Sequence, residues 1–225
     1  MNKGLHQFSE AYYKQNNSYE KFSNCEDFPD KIANFLKPKI ADKKVLDIGC
    51  GTGKYINKFF PLCKEICGID KSQNQIDSTK EKTNNKVQLF CCDATNLPFG
   101  NGSFDIVVST WVFGTILDID VRNRALAEAN RVLKNGGKIY LVENDIGGEF
   151  EEIRNRYPDT SKTLEYNNYL IKNGFTPILK EKTFFKFDST FEAKEIFEII
   201  WDFSVAEKIT KPTIEQNVVI FEKTK

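Results

Sequence analysis

The chain has 225 residues, of which 40% are hydrophobic and 28% charged, and its 32 basic and 32 acidic side chains give a net charge of zero. These values are typical of a soluble α/β domain with a full core, and a neutral charge does not favour a nucleic-acid partner. No apolar run is long enough to cross a membrane, and the first four residues, Met-Asn-Lys-Gly, do not begin a secretory leader. We therefore expect a cytoplasmic protein with no membrane contact and no evident nucleic-acid partner.

The cysteines do not form a pattern typical of a metal site. The chain has six cysteines and one histidine, and His6 lies far from Cys63 and Cys67, whose spacing does not match a zinc ribbon. We expect reduced thiols and no metal. Cys67, Cys91 and Cys92 fall in or beside strand-like runs, which predicts buried structural thiols.

Residues 1–40 precede the first predicted strand and form an N-terminal helical arm. A helix is predicted from Asp30 to Leu36, and Pro38 is expected to end it. The arm is rich in aromatic residues, which either pack on an edge of the sheet or close as a lid over a ligand. The tyrosines that are candidates for substrate binding are Tyr12, Tyr13 and Tyr19.

A strand, a glycine loop and a helix follow. Val45 to Ile48 is an apolar run interrupted by Asp47, and Gly49, Gly51 and Gly53 then alternate before a helical pattern begins. Glycine tolerates positive φ and lets a ligand approach the backbone, while the helix start offers free N–H groups. This stretch predicts a binding site for a nucleoside-bearing cofactor.

Further strands also end in acids. Strands are predicted from Lys64 to Asp70 and from Val87 to Asp93. Asp70 lies about 20 residues after the glycine loop, where a carboxylate typically meets ribose hydroxyls. Each acid alone is equally well explained as a helix cap, but acids at the ends of several strands favour a binding crevice.

The pattern continues as alternating strands and helices. Between the second and third strands, Ser72 and Gln75 have the spacing of a capping box. A fourth strand is predicted over 104–109 and a fifth over 138–143, and Asp118 or Asp120 starts the helix between them. Asn135-Gly136-Gly137 is expected to close that helix in the left-handed conformation. Alternation of this kind predicts a parallel sheet with helices on both faces.

The remainder of the chain changes character. Helices are predicted over 161–172 and from a second capping box at Ser189 and Glu192, and strands over 177–187 and 216–222. A strand, a helix and a returning strand are compatible with an antiparallel edge on the parallel sheet. We expect one domain over 1–225, with an arm at 1–40, a cofactor-binding core at 41–145 and a substrate-side part at 146–225.

The glycine loop differs from the fingerprints of two common nucleotide sites. The dinucleotide fingerprint requires a third glycine where this chain has Lys54, and the spacing is not that of a P-loop. Asp47, two residues before Gly49, would repel a diphosphate but would suit a cationic or zwitterionic ligand.

Five motifs in series resemble those of the class I S-adenosylmethionine-dependent methyltransferases, in the broad branch with many small-molecule enzymes. The resemblance covers residues 42–143 in the family's order and spacing. Its motifs are Asp47-Ile48-Gly49-Cys50-Gly51-Thr52-Gly53, Gly68-Ile69-Asp70, Asp93-Ala94 with Leu97-Pro98-Phe99, Phe104-Asp105-Ile106-Val107, and Arg131-Val132-Leu133-Lys134-Asn135-Gly136-Gly137.

The resemblance implies S-adenosylmethionine as cofactor, S-adenosylhomocysteine as product, and a doubly wound, Rossmann-like, mostly parallel seven-stranded sheet with an antiparallel last strand. It also implies a role for each matching residue. The methionine moiety of the cofactor would lie against Gly49, Cys50, Gly51 and Gly53. Asp47 would attract its ammonium group, and Asp70 would bind the ribose hydroxyls. Lys71, Asp93 and Ala94 would lie at the adenine, and Thr110 and Trp111 would flank the methyl group.

We expect methyl transfer to a small-molecule acceptor by in-line displacement. Carboxylates and thiolates need no base, whereas other acceptors do, and the candidate bases are Glu143, Asp145 and a tyrosine of the arm. For Glu143, a strand-end cap or an ion pair is favoured over a role as base or substrate contact. A protein methyltransferase and a non-catalytic cofactor-binding adaptor remain alternatives, and a nicotinamide-dependent oxidoreductase is a weaker one. The sequence identifies neither the acceptor nor the oligomeric state.

Overall fold

The computed structural model describes residues 16–84, 86–155 and 162–225. These residues contain a seven-stranded sheet with the order β3-β2-β1-β4-β5-β7-β6. The strands are β1 Lys44–Ile48, β2 Glu65–Asp70, β3 Gln88–Cys91, β4 Phe104–Thr110, β5 Leu133–Asn144, β6 Thr176–Lys186 and β7 Thr213–Thr224. The helices are α1 Asn16–Cys25, α2 Lys31–Ile40, α3 Lys54–Phe59, α4 Gln73–Lys82, α5 Ile119–Val132, α6 Glu149–Ile153, α7 Lys162–Lys172, α8 Thr190–Ile200 and α9 Phe203–Ala206.

The first five strands form a parallel sheet. β1 pairs with β2 and β4, β2 with β3, and β4 with β5, all in the parallel sense. Beside β5, β7 is antiparallel, which confirms the fold class predicted above. Its far end is fixed by hydrogen bonds from Lys225 N to Gly137 O at 3.0 Å and from Gly136 N to Lys225 O at 3.1 Å. Of the helices in the described residues, none combines the length and the apolar character needed to cross a bilayer.

The structure divides into two compact units. The glycine-loop unit comprises 32–143, 169–179 and 219–225, and the aromatic unit takes its described residues from 1–31, 144–168 and 180–218. In the glycine-loop unit, Leu46, Val107 and Leu141 are fully buried, as expected for parallel strands covered on both faces. The prediction of a single domain over 1–225 stays a prediction.

The aromatic unit has its own hydrophobic core. Phe22 of α1 stacks on Phe185 of β6 with 4.9 Å between ring centroids, and Phe197 of α8 packs edge-on against Phe185 at 6.1 Å. Arg154 lies 3.7 Å from the centre of the Phe150 ring. Ser189 accepts a hydrogen bond from Glu192 N at 3.1 Å, so the N-cap of the predicted capping box forms. The Glu192 carboxylate accepts from Asp188 N at 3.0 Å rather than from Ser189 N, so the box is not closed.

Several local predictions were wrong. Pro38 does not end α2 but lies inside it. Proline has no N–H, so the carbonyl of Asn34, one turn earlier, receives no helical hydrogen bond. Asn34 is exposed, so water can reach that carbonyl. Asn135-Gly136-Gly137 is not a helix cap, because α5 ends at Val132 and β5 begins directly at Leu133. Cys91 is exposed rather than buried, because β3 lies at the edge of the sheet.

Candidate functional site

The glycine loop lies at the carboxyl end of β1, and its three glycines all have positive φ. The angles are +75° at Gly49, +56° at Gly51 and +83° at Gly53. Only glycine adopts this region without the steric conflict between Cβ and the neighbouring carbonyl. The N–H groups of Gly49 and Cys50 both donate to Ile69 O, at 2.8 and 2.9 Å, so the loop turns tightly around the end of β2.

Two of the glycines are also required by close packing. A Cβ at Gly49 would lie 2.3 Å from Val112 Cγ2, and one at Gly53 would lie 2.7 Å from Thr79 Cγ2. Both distances are far inside van der Waals contact. The loop is therefore held between the segment that follows β4 and the middle of α4.

Asp70 fixes the loop through its carboxylate. Its Oδ2 accepts from Gly51 N at 3.1 Å and its Oδ1 from Ser72 N at 2.9 Å. Burial raises the pKa of Asp70, and these hydrogen bonds oppose the rise. The predicted capping box at Ser72 and Gln75 does not form. Ser72 makes no side-chain cap, and its N–H, which the Gln75 side chain would accept in a capping box, donates to Asp70 instead.

Asp47 is buried beneath the loop, with 2% of its surface exposed. Its Oδ1 has no hydrogen-bond partner among the described residues. Burial, followed by the charge of Asp70, raises the pKa of Asp47 to about 7. A buried carboxylate oxygen without a partner is costly, so the site fits a ligand that brings a cation or a strong donor. The ammonium of S-adenosylmethionine meets that requirement.

The predicted adenine side follows β3. Asp93 Oδ1 accepts from Thr95 N at 2.8 Å and from Thr95 Oγ1 at 2.7 Å, and these bonds lower the pKa of the carboxyl group. Asp93 is exposed, Ala94 is half-buried and Lys71, directly after β2, is exposed. Asp93 is therefore ionised at neutral pH.

The loop after Ala94 is held by Arg131 of α5. Its guanidinium donates to Leu97 O at 3.1 Å and Phe99 O at 2.7 Å, and it is paired with Glu128. Glu128 in turn accepts from Leu97 N at 2.8 Å. The sequence indicated a motif at this arginine but not its function, which is to shape the loop beyond Asp93.

Thr110 ends β4 and Trp111 directly follows it, at the same edge of the sheet as the glycine loop. Trp111 N donates to Val142 O at 2.8 Å, and the indole ring lies 6.2 Å from the ring of Tyr55 in α3. Cys50 is buried in the glycine loop, and burial raises the pKa of its thiol well above the ordinary value. The segment after β4 therefore lies against the glycine loop through Val112, and the roles that the resemblance implies for Cys50, Thr110 and Trp111 stay predictions.

The other candidates are less centrally placed or lie elsewhere. Glu143 is 3% exposed and its Oε1 accepts from Gly114 N at 3.3 Å, as a strand-end cap would. Asp145 belongs to the aromatic unit and pairs with Lys180 at 2.8 Å. Tyr19 lies half-buried in α1 of the same unit. Tyr12 and Tyr13 lie outside the described residues.

Sequence reasoning missed the polar face of α4. Thr79 Oγ1 donates to Gly51 O at 2.8 Å, and Lys82 Nζ donates to Thr52 O at 2.9 Å. The signal was present, because α4 has almost no apolar residues besides Ile76 and so must bury polar ones. Within the described residues, no group of three metal-ligating side chains occurs.

Comparison with known proteins agrees with this geometry. A family model described as "Methyltransferase domain" matches residues 46–141. The tRNA (carboxymethyluridine(34)-5-O)-methyltransferase alkbh8 of Xenopus tropicalis is 34% identical over 145 residues, which are 64% of this chain and 22% of that protein. The demethylmenaquinone methyltransferase of Staphylococcus haemolyticus is 40% identical over 105 residues, or 44% of this chain and 43% of that one.

Solved structures share the fold. The N-methyltransferase NodS of Bradyrhizobium japonicum WM9, solved in complex with S-adenosyl-L-homocysteine, superposes with a TM-score of 0.57 at 15% identity, covering 88% of both chains. The chain spans about a fifth of the length of the tRNA methyltransferase and less than half of the menaquinone enzyme. Residues 46–141 thus match a methyltransferase domain, and the motifs and fold of the chain resemble those of the class I S-adenosylmethionine-dependent methyltransferases.

Proposed function

We propose that this chain transfers a methyl group from S-adenosylmethionine to a small-molecule acceptor. The observation that carries the proposal is the buried Asp47 carboxylate, which has an oxygen without a partner in the described structure and lies beneath a positive-φ glycine loop. When bound, the cofactor supplies a methyl group on a sulfonium, which an in-line nucleophile can displace.

The chain's own residues bind and orient the cofactor. Gly49, Gly51 and Gly53 admit the methionine moiety against the backbone, and Asp47 attracts its ammonium. Asp70 keeps the loop in shape and accepts from the ribose hydroxyls with its remaining lone pairs. Asp93 and Ala94 hold the adenine with Lys71 beside it, while Thr110 and Trp111 border the position of the methyl group.

The acceptor assignment is supported by charge and by one relative. The chain is neutral overall, and Ser109-Thr110-Trp111-Val112 stands where an amino-directed methyltransferase of DNA or protein glutamine would have Asn/Asp-Pro-Pro-aromatic. The demethylmenaquinone methyltransferase is named for a small-molecule acceptor. Glu143 is held by Gly114 N, which favours an acceptor that needs no proton removed.

RNA is the second candidate acceptor, because one relative is named for methylation of carboxymethyluridine in tRNA. A carboxylate is nucleophilic as the anion, so this acceptor also needs no general base. Balanced charges, 32 of each sign, do not exclude a local basic surface.

Calorimetric titration with S-adenosylmethionine and S-adenosylhomocysteine tests the cofactor. We expect micromolar binding, and no binding of either at millimolar concentration would refute the proposal. Asp70→Asn keeps the shape of the side chain but offers an amide donor to Gly51 N or Ser72 N, so we expect a loss of affinity of about tenfold or more. Asp77→Asn, on the exposed face of α4, is the matched control and should bind normally.

Tritiated S-adenosylmethionine then separates the acceptors. Label in a small-metabolite extract supports the first candidate, and label in unmodified tRNA supports the second. Label in neither fraction and in no protein, from a chain that binds the cofactor, would indicate the non-catalytic adaptor.

A further inference from the structure

The last of the five motifs forms a bulge that the proposed function does not use. Leu133 pairs with Phe104 and Lys138 pairs with Ile106, so residues 134–137 of β5 stand opposite Asp105 alone in β4. Bulges of this kind redirect side chains at the rim of a sheet. Gly136 has a φ of +77°, and no heavy atom of the described residues lies within 4 Å of the position that a Cβ would take there. The bulge therefore turns beside open space.

The lysine cavity is an open space of about 360 Å³ beside this bulge. Its walls come from the end of α2, the residue before β1, the start of β4 and the first half of β5. Four lysines and one acid line it, namely Lys39, Lys43, Lys134 and Lys138 with Asp105. A concave surface lined mainly by one sign of charge concentrates the electrostatic field and attracts counter-ions.

The lysine cavity is separate from the glycine loop. Lys43 directly precedes β1 and Gly49 directly follows it, and β1 has five residues. A strand of that length spans roughly 15 Å. The cavity therefore lies at the amino ends of the strands, whereas the glycine loop lies at their carboxyl ends. A ligand in the cavity is not the part of a cofactor that the glycine loop would bind.

Two of the four lysines form ion pairs that hold their ammonium groups in place. Lys134 Nζ lies 2.7 Å from Asp105 Oδ1, and Lys138 Nζ lies 2.8 Å from Glu222 Oε1. An ammonium has three N–H donors, so each of these lysines keeps further donors for a ligand.

The other two lysines carry charges that no ion pair offsets. Neither Lys39 nor Lys43 has its Nζ within 4.0 Å of a carboxylate oxygen in the described part of the chain. Lys39 Nζ lies 4.5 Å from the centre of the Phe35 ring and 5.8 Å from that of Tyr140. Contacts of this kind orient an ammonium without cancelling its charge. Lys43 is exposed.

The charge at the lysine cavity suits a dianion. Asp105 and Glu222 offset two of the four lysines, so these side chains leave a surplus of two positive charges. A phosphate monoester carries about two negative charges at pH 7 and offers three strong acceptor oxygens. A carboxylate carries one charge and offers two oxygens. Lysine ammonium groups bind phosphate as point charges, without the fixed geometry that arginine requires.

We propose that the lysine cavity binds a phosphate group. This inference goes beyond the proposed methyl transfer and does not depend on it. The phosphate belongs either to a small phosphomonoester or to the backbone of an RNA, and the same ammonium groups recognise both.

The first experiment measures the phosphate group itself. Inorganic phosphate is titrated at constant ionic strength, with chloride as the balancing ion, and binding is followed by phosphorus NMR. We expect saturable binding that Lys39→Met and Lys43→Met each weaken by about threefold to tenfold. Lys86→Met is the matched control, because Lys86 is an exposed lysine shortly before β3, at the same edge of the sheet, and does not line the cavity.

Asp105→Asn should change the affinity in the opposite direction. The substitution keeps the shape of the side chain but removes the acid that lines the cavity and the ion pair of Lys134. We expect phosphate to bind about threefold more tightly, or better. Local damage to the fold would not produce such a gain, so an unchanged or weaker affinity would contradict the proposal.

The second experiment separates the two sources of the phosphate. A phosphomonoester site binds uridine 5′-monophosphate at least as tightly as inorganic phosphate, does not bind uridine, and gives Lys39→Met and Lys86→Met the same affinity for unmodified tRNA. An RNA site instead shows weaker tRNA binding in Lys39→Met and Lys43→Met than in Lys86→Met. The slope of log affinity against log salt concentration then falls by about one for each cavity lysine removed.

The proposal is overturned if inorganic phosphate, the mononucleotide and tRNA all fail to distinguish Lys39→Met and Lys43→Met from Lys86→Met. Thermal melting confirms that each variant is folded before binding is compared. S-adenosylhomocysteine, titrated into the same variants, should bind as it does to wild type. A wild-type chain that binds phosphate but not S-adenosylhomocysteine would refute the methyltransferase proposal and support the lysine cavity.

Discussion

At the scale of single residues, Asp47 controls how the site responds to pH. Its pKa is raised to about 7 from 3.8, mainly by burial. The folded protein therefore holds a proton at pH 5 that the unfolded chain has lost, and this contribution to stability disappears as the pH rises through 7. Asp47 stabilises the fold in acid and destabilises it above neutrality.

Asp47→Asn should remove this dependence. We expect the free energy of unfolding without ligand at pH 8 to rise by up to about 4 kcal/mol, because the pKa of Asp47 is raised from 3.8 to about 7 in the folded protein. The affinity of the wild type for S-adenosylhomocysteine should increase as the pH rises through 7, because the ionised carboxylate attracts the ammonium. Urea unfolding and calorimetry at pH 5.5 and 8 measure both. An affinity that is independent of pH in wild type would contradict the role of Asp47.

Gly49 is the residue on which the loop geometry depends most. Gly49→Ala combines a φ of +75° with a Cβ 2.3 Å from Val112, whereas Gly136→Ala has a φ of +77° and no atom within 4 Å. We expect Gly136→Ala to cost about 1–2 kcal/mol of stability, and Gly49→Ala to cost more and to abolish cofactor binding. The double variant Gly49→Ala with Val112→Ala should recover part of the stability in urea unfolding. Equal losses in the two single variants would show that packing against Val112 is unimportant.

At the scale of elements, the loop after β3 depends on α5 through Arg131. Arg131→Lys keeps the charge but cannot reach Leu97 O, Phe99 O and Glu128 together. We expect a loss of about 1–3 kcal/mol of stability and weaker cofactor binding, measured by thermal unfolding and calorimetry. Arg124→Lys, exposed on the same helix, is the control. Unchanged stability in Arg131→Lys would mean that the loop keeps its shape without the guanidinium.

The elements that the sequence predicted well are those determined by local signals. The run Val45–Ile48 and the alternating glycines determine a strand and a turn within a few residues. α4 was predicted with a capping box that is absent, because Asp70, which belongs to another element, takes the N–H of Ser72. The start of β5 at Leu133 also depends on a neighbour, since pairing of Leu133 with Phe104 extends the strand toward α5.

At the scale of the whole molecule, the order of the last two strands was not predicted, because the resemblance implied only that the last strand is antiparallel. Local patterns predict strands near 177–187 and 216–222 but contain nothing that places β7 inside β6. The sequence does not identify the methyl acceptor either, because local patterns contain nothing that specifies it. The lysine cavity becomes visible only when α2, β4 and β5 are brought together.

The stability of the aromatic unit should depend on its buried rings. Phe197 is fully buried, whereas Phe191, in the same helix α8, is 71% exposed. We expect Phe197→Ala to lower the free energy of unfolding by about 3–5 kcal/mol and Phe191→Ala to change it little. Chemical unfolding followed by circular dichroism measures the difference. Similar effects of the two substitutions would contradict the packing described for Phe22, Phe185 and Phe197.

The order of β5, β7 and β6 in the sheet differs from their order along the chain, and this matters on the ribosome. β5 emerges well before β7, so the edge of β5 that β7 later covers keeps unpaired backbone groups while the intervening segment is synthesised. The strand is apolar, with Ile139 and Leu141 buried in the finished sheet, and an open apolar edge can pair with another nascent chain. Slow translation between the codons for Lys186 and Thr213 should therefore lower the soluble yield, whereas the same delay before Leu133 should not.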